Sequence, residues 1–195
     1  MTQTSYFPLL FLFTISISLA SSLPCSTPNK HKNKNEQKDL VYSSCANASY
    51  PNLCIQTLSS YSGKANTPSD LAKAAVGVSL AKARNVSESL ETLKGHTKRE
   101  INTLNDCMEQ VGDSVYDLKK TLNELQHLRR DSFEWQMSNA QTWVSAALTN
   151  QDSCVDGFKE IDWKVRADLK KKISIVAKVT SNALYLINLL DESQH

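Results

Sequence analysis

Glycine and proline are scarce in this chain. Each occurs five times in 195 residues, and no proline follows Pro68. Both residues interrupt helices, glycine because its backbone is too free and proline because it lacks an N–H and clashes with the preceding turn. Their scarcity favours long uninterrupted helices and predicts an all-α domain.

Charged residues are missing from the first 22 positions. An apolar run from Leu9 to Leu19 is followed by the small residues Ala20, Ser21 and Ser22. No basic residue precedes the run, yet its length and its ending indicate a cleaved secretory signal over residues 1–22. A membrane anchor is the alternative, but the run is shorter than the roughly 20 residues that a spanning helix needs. No later stretch is expected to span, so we predict a secreted chain with no membrane contact after cleavage.

The charge of the chain is close to balanced, with 22 basic and 20 acidic residues. The net charge of +2 comes from residues 23–39, a polar, lysine-rich stretch without periodicity. We expect this stretch to be a disordered basic arm and residues 40–195 to form one domain. Such a balance argues against a nucleic-acid partner. Cys25, the odd one of five cysteines, lies in the arm, where it could stay unpaired or link two chains.

Four amphipathic helices are predicted over residues 67–190. Thr67 and Thr97 are N-cap residues, the first followed by Pro68 and the second by Glu100 of a capping box. The first helix should end near Gly95, and the third should end at 149–152 with Cys154 in the loop beyond. Short links between such helices make an up-down-up-down bundle. The core stripes of the last three helices are Ile101, Leu104, Met108, Val111, Val115, Leu118, Leu122 and Leu125; then Phe133, Met137, Ala140, Val144 and Ala147; then Val165, Leu169, Ile173, Val176, Thr180, Ala183, Ile187 and Leu190.

The remaining four cysteines predict two disulfides. Cys45 and Cys54 flank Pro51, which disfavours helix at the residue before it, so residues 40–62 should form a short helical hairpin. Of the three possible pairings we favour Cys45–Cys54 with Cys107–Cys154, because the first two cysteines belong to the same hairpin. A metal site is the competing interpretation, but secretion favours oxidation and no CxxC motif or nearby histidine is present.

Few residues suggest catalysis or a cofactor. Glu124 and His127 match one Glu-x-x-His unit of di-metal bundles, but such sites need two units. Ser145 is flanked by alanine rather than by a glycine elbow, and no glycine-rich phosphate loop occurs. We therefore predict a non-enzymatic protein without metal or cofactor. Asn47 and Asn85 begin N-x-S acceptor sequences for N-glycosylation.

The sequence resembles the plant invertase/pectin methylesterase inhibitor family over about residues 40–190. The resemblance is carried by four segments, namely Cys45 with Tyr50–Cys54, then Leu104–Glu109, then Thr142–Asn150 with Cys154–Phe158, and Ser181–Leu184. It implies a helical hairpin on a four-helix bundle with the disulfide pairing favoured above. Of the two targets in this family, invertase inhibitors carry a Pro-Lys-Phe segment after the fourth cysteine, which this chain lacks.

The resemblance therefore implies a free-standing inhibitor of pectin methylesterase in the plant cell wall, without an attached catalytic domain. The monomeric bundle would form a 1:1 complex that occludes the substrate cleft of the esterase. An invertase inhibitor and a secreted signalling or binding bundle without an enzyme target are the alternatives. Carried over by position, the contact residues are Asp113, Gln141, Thr149, Asn150 and Ser153, each of which could instead be merely solvated or capping. Tyr116 stands where an acidic residue is often expected.

Overall fold

A computed structural model describes residues 30–61, 65–160 and 167–194 of the chain. It contains α1 (Lys30–Cys45), α2 (Pro51–Ser59), α3 (Pro68–Glu91), α4 (Lys98–Gln126), α5 (Phe133–Gly157), a 3₁₀ turn (Phe158–Glu160) and α6 (Ala167–Glu192). The predicted signal sequence, Cys25 and residues 161–166 lie outside the described residues.

Helices α3 to α6 form the predicted four-helix bundle. Along the chain α3 packs on α4, α4 on α5 and α5 on α6, and α6 closes the ring against α3. The α3–α6 pair therefore lies opposite the α4–α5 pair. The centre of the ring is filled by fully buried aliphatic side chains, among them Leu90, Leu118, Met137 and Ile187. Burial of these stripes is the main source of stability for helices of this length.

The predicted N-caps are both present. The Thr67 hydroxyl accepts a hydrogen bond from the Asp70 N–H at 3.1 Å, and the Thr97 hydroxyl accepts one from the Glu100 N–H at 3.2 Å. The Glu100 carboxylate in turn accepts from the N–H of His96 at 2.7 Å. The two threonine bonds satisfy N–H groups that the first helical turn leaves without a partner, and the Glu100 bond ties down the residue before the N-cap. Helix α3 ends at Glu91, slightly before the predicted end near Gly95.

Helix α5 continues through the segment predicted to end it. It runs to Gly157, so Cys154 lies within the helix and not in a loop. The prediction was wrong because Gln151, polar but 1% exposed, belongs to the buried stripe together with Val144, Ala147 and Cys154. A polar side chain that is hydrogen-bonded on a neighbouring helix can occupy a core position without ending the helix.

The N-terminal hairpin packs on the bundle through α6 and α3. The Cys45–Cys54 disulfide joins its helices across a Cα–Cα distance of 5.7 Å. The buried Asn182 side chain of α6 accepts from the Tyr50 N–H at 2.9 Å and donates to the Tyr50 carbonyl at 3.0 Å. Helix α1 begins at Lys30, inside the stretch expected to be a disordered arm. Lys, Glu and Gln have a high helix propensity, so the stretch can be helical although it lacks an apolar pattern.

Helix α6 corrects the expectation that no stretch beyond the signal is apolar enough to span a membrane. Of the described helices it alone is long and apolar enough by composition, with a mean hydropathy of 1.5 over its most apolar window. Some 56% of that window is buried inside the bundle. Burial of this kind is typical of the core helix of a four-helix bundle.

Candidate functional site

The α4–α5 pair carries the second disulfide of the described chain. Cys107 and Cys154 are both 1% exposed, and their Cα atoms lie 4.6 Å apart. The bridge joins the first half of α4 to the last turn of α5 and so confirms the predicted pairing. Two antiparallel helices fixed in this way cannot slide along each other.

Two further contacts set the register of these helices. The Asn139 amide donates to the Glu124 carboxylate at 3.3 Å, and the Lys120 ammonium lies 3.4 Å from the centroid of the Trp143 ring. Seven residues, about two helical turns, lead from Lys120 to Asp113 and from Trp143 to Asn150. This register places Asp113 opposite Asn150. We call the surface formed by Asp113, Tyr116, Asp117, Lys120, Glu124, Asn139, Trp143, Asn150 and Ser153 the α4–α5 face.

Lys120 holds the aromatic side chains of this face. Besides the Trp143 ring it contacts the ring of Tyr116, whose centroid lies 4.9 Å from the ammonium nitrogen. Cation–π contacts of this geometry contribute about 0.5–1 kcal/mol at exposed positions and more when desolvated. Tyr116 remains 59% exposed, so its ring is held in place and still presented to solvent.

Asp117 is the most deeply placed carboxylate of the face, with 8% of its surface exposed. Burial raises the pKa of Asp117 above its ordinary value of 3.8, and the negative charge of Asp113 raises this pKa further. The positive charge of Lys120 acts in the opposite direction. The face therefore combines an exposed carboxylate (Asp113), a half-buried one (Glu124), a buried one (Asp117) and the Lys120 ammonium group.

Gln151 lies beneath the face and joins the two helices through the core. Its amide donates to the Ser114 hydroxyl at 2.5 Å, and both side chains are buried. The other amide atom, Oε1, is buried and has no hydrogen-bond partner within the described part of the chain. An unsatisfied buried oxygen costs stability, whereas the Ser114 bond opposes any change of register between α4 and α5.

The structure brings together some of the predicted contact residues and separates others. Asp113, Thr149 and Ser153 are exposed and Asn150 is half-buried, all toward the outside of the α4–α5 pair. Gln141 lies nine residues from Asn150, which is two and a half helical turns and therefore the opposite side of α5. Its amide donates to the Asp191 carboxylate of α6 at 3.1 Å. Gln141 thus braces α5 against α6.

Sequence reasoning did not select Asp117, Lys120 or Trp143 as members of the site. The spacing of Asp113, Asp117, Lys120 and Glu124 at three and four residues was a usable signal, because it places them on one side of a helix. The residues of α5 that face them could not be identified without the register of α5 against α4.

The residues weighed for metal binding have other roles. Glu124 accepts a hydrogen bond from Asn139, and His127 follows the last residue of α4, where its Nδ1 lies 2.8 Å from the Asn123 carbonyl. No group of three or more potential metal ligands occurs within residues 30–61, 65–160 and 167–194. Both sequon asparagines are exposed, Asn47 in the α1–α2 turn and Asn85 on α3.

The amino-acid sequence is similar to a known protein family and to individual plant proteins. A family model described as plant invertase/pectin methylesterase inhibitor matches residues 39–186. The chain is 46% identical over 193 residues to Pectinesterase inhibitor 3 of Arabidopsis thaliana, covering 94% of this chain and 93% of the relative. It is 39% identical to Pectinesterase inhibitor 9 of the same plant, covering 95% and 94%.

The fold also matches a solved structure. The crystal structure of mutant form A of a pectin methylesterase inhibitor from Arabidopsis superimposes with a TM-score of 0.63 at 19% identity. The match covers 74% of this chain and 93% of the solved chain. It supports the same arrangement of hairpin and bundle.

Proposed function

This chain belongs to the plant invertase/pectin methylesterase inhibitor family, and on that premise we propose that it is a secreted inhibitor of pectin methylesterase in the plant cell wall. The observation that carries the proposal is the near full-length similarity to Pectinesterase inhibitor 3 at 46% identity. Two disulfides are typical of secreted proteins and support this location.

The proposed mechanism is occlusion of the substrate cleft in a 1:1 complex. A polysaccharide substrate needs an extended open cleft, and a helix pair can lie along such a cleft. Helix α4 has 29 residues and is therefore about 44 Å long. The disulfide, the Ser114–Gln151 bond and the Lys120–Trp143 contact hold α4 and α5 together before binding. A surface that is already ordered loses little conformational entropy on association.

The α4–α5 face supplies the proposed contacts. Asp113, Asn150 and Ser153 provide hydrogen-bonding groups, and the exposed ring of Tyr116 provides an aromatic anchor of the kind that often dominates interfaces. Thr149 adds a hydroxyl on the outer side of α5. Gln141 acts indirectly, because it holds α5 against α6 through Asp191.

The test is a titration of purified, disulfide-bonded protein against a plant pectin methylesterase at mildly acidic pH. Methanol release is the readout, and a plant invertase assayed in parallel distinguishes the two targets of the family. We expect saturable, near-stoichiometric loss of esterase activity and unchanged sucrose hydrolysis. Loss of invertase activity alone would assign the chain to the other target. No effect on several isoforms of either enzyme would favour a non-inhibitory binding bundle.

A further inference from the structure

The sequon residue Asn85 lies at the meeting point of two surface grooves between α3 and α6. One groove, of about 420 Å³, runs toward Leu93 and Leu169, and the other, of about 270 Å³, runs toward Ile175 and Val176. Both are lined by Asn85 itself. The other acceptor residue, Asn47, lines neither groove.

The chemistry of the grooves suits the first sugars of an N-linked glycan. Val86, Ile175 and Val176 form an apolar wall, while Ser89 and Lys172 supply polar groups. An N-acetylglucosamine ring has the same mixture, since it carries apolar C–H faces and an acetamide methyl next to hydroxyl groups. Lys172 is held at the rim by an ion pair with Asp168 at 2.9 Å.

We propose that Asn85 carries an N-linked glycan whose first sugars lie in the α3–α6 groove and stabilise that side of the bundle; the inference rests on the proposed secretion of the chain. The occupant is fixed by its point of attachment, because a glycan on Asn85 starts inside the groove. Since the α3–α6 pair is opposite the α4–α5 pair, the glycan leaves the proposed esterase contacts free.

The covalent step is ordinary glycosyl transfer from a lipid-diphosphate-linked oligosaccharide in the secretory pathway. The amide nitrogen of Asn85 forms a bond to the anomeric carbon of the first sugar and loses one proton. The bond from that carbon to the diphosphate oxygen breaks, and the lipid diphosphate leaves. Helix formation afterwards brings the attached sugar against α6.

Three secreted proteins test the proposal, namely the wild type, Ser87→Ala and Asn47→Gln, all produced as full-length chains in plant cells. Glycopeptide mass spectrometry measures occupancy, thermal unfolding measures stability, and hydrogen exchange measures protection of α3 and α6. We expect Asn85 to be modified in the wild type. Ser87→Ala should remove that glycan, lower Tm by about 2–4 °C and speed exchange in residues 85–93 and 167–176. Asn47→Gln should leave both quantities unchanged.

Bacterial expression controls for the direct effect of the mutation, because it yields the same pair without glycans. There Ser87→Ala and the wild type should have equal Tm. Ile175→Thr should reduce the stabilisation gained on glycosylation and leave the occupancy of Asn85 intact. An unmodified Asn85 in the secreted wild type would overturn the proposal, and so would a modified Asn85 whose removal changes neither Tm nor exchange. None of the three readouts involves the esterase, so the outcome is independent of the inhibition assay.

Discussion

Individual residues of the α4–α5 face differ in how they are held. Asp113 is exposed, and Asp117 is buried one turn away. The Lys120 ammonium interacts electrostatically with the Asp117 carboxylate and contacts two aromatic rings. Folding therefore removes most of the water around Asp117, and among the residues that the structure describes no ion pair of its own replaces that water. A buried carboxylate of this kind makes stability depend on pH.

The Asp117→Asn variant should alter that pH dependence. Because the folded pKa of Asp117 is raised above 3.8, the folded protein binds more protons than the unfolded chain between 3.8 and the raised value. Its contribution to the free energy of unfolding is fully present below 3.8 and is lost as the pH rises through this window. Asparagine cannot ionise and avoids the loss.

Thermal unfolding of both proteins from about pH 3 to about pH 7 measures this effect. We expect the Tm of the wild type to fall relative to that of Asp117→Asn as the pH rises. Asp113→Asn, at the exposed neighbour, should produce a smaller change. Parallel Tm curves for wild type and Asp117→Asn would contradict the proposed contribution of Asp117 to the pH dependence of stability.

At the scale of single elements, the starts of α3 and α4 were predictable, whereas the start of α1 and the end of α5 were not. Thr67 and Thr97 are recognised from a few neighbouring residues, because an N-cap is a local hydrogen bond. The end of α5 depended on Gln151, whose partner Ser114 is on another helix. The polar run at 149–152 resembles a helix end until that distant partner is known.

The candidate site likewise contains residues that local sequence indicates and residues that only long-range packing reveals. Asp113, Asn150 and Ser153 were chosen as contact candidates through family resemblance, and the structure places them on one face. Gln141 was chosen in the same way, but it lies on the other side of α5 from Asn150. This follows from counting turns along α5 once the helix is known to be continuous. The role of Asp191 as its partner required the packing of α5 on α6.

Docking of the hairpin on the bundle should depend on Asn182. In the Asn182→Ala variant the part-buried Tyr50 N–H loses its acceptor, and the Tyr50 carbonyl loses the amide donor while keeping its bond from the Cys54 N–H at 2.9 Å. We expect a loss of about 1–3 kcal/mol in the free energy of unfolding and faster proteolysis within residues 36–61. Denaturant unfolding and limited proteolysis measure these effects. Asn105→Ala, at an exposed position of α4, is the control, and equal behaviour of the two variants would contradict this role.

The two disulfides should contribute unequally. Cys107–Cys154 closes a loop of about 48 residues and contributes about 4 kcal/mol in the chain-entropy model, whereas Cys45–Cys54 closes about ten and contributes about 2.7 kcal/mol. We expect Cys107→Ser with Cys154→Ser to lower both Tm and inhibition of the esterase. Cys45→Ser with Cys54→Ser should lower Tm less and preserve inhibition at temperatures where the bundle is folded. Unchanged Tm and inhibition after loss of Cys107–Cys154 would refute its positioning role.

At the scale of the whole molecule, the bundle has two opposite sides with different chemistry. The α4–α5 side has charged and aromatic groups on helices linked by a disulfide, and the α3–α6 side has grooves around a sequon. The hairpin packs against α6 and α3, away from the α4–α5 pair. This division leaves one long rigid surface available to a partner enzyme.

The most direct test of inhibition through the α4–α5 face is a titration of pectin methylesterase with wild type, Asp113→Lys and Glu91→Lys, followed by methanol release. Both variants exchange an exposed acidic residue for lysine, but Glu91 lies at the end of α3. We predict that Asp113→Lys needs at least about tenfold more protein for half-inhibition, or about 1.4 kcal/mol, while Glu91→Lys matches the wild type. Equal potency of all three proteins, or equal weakening by both variants, would contradict the α4–α5 face as the inhibitory surface.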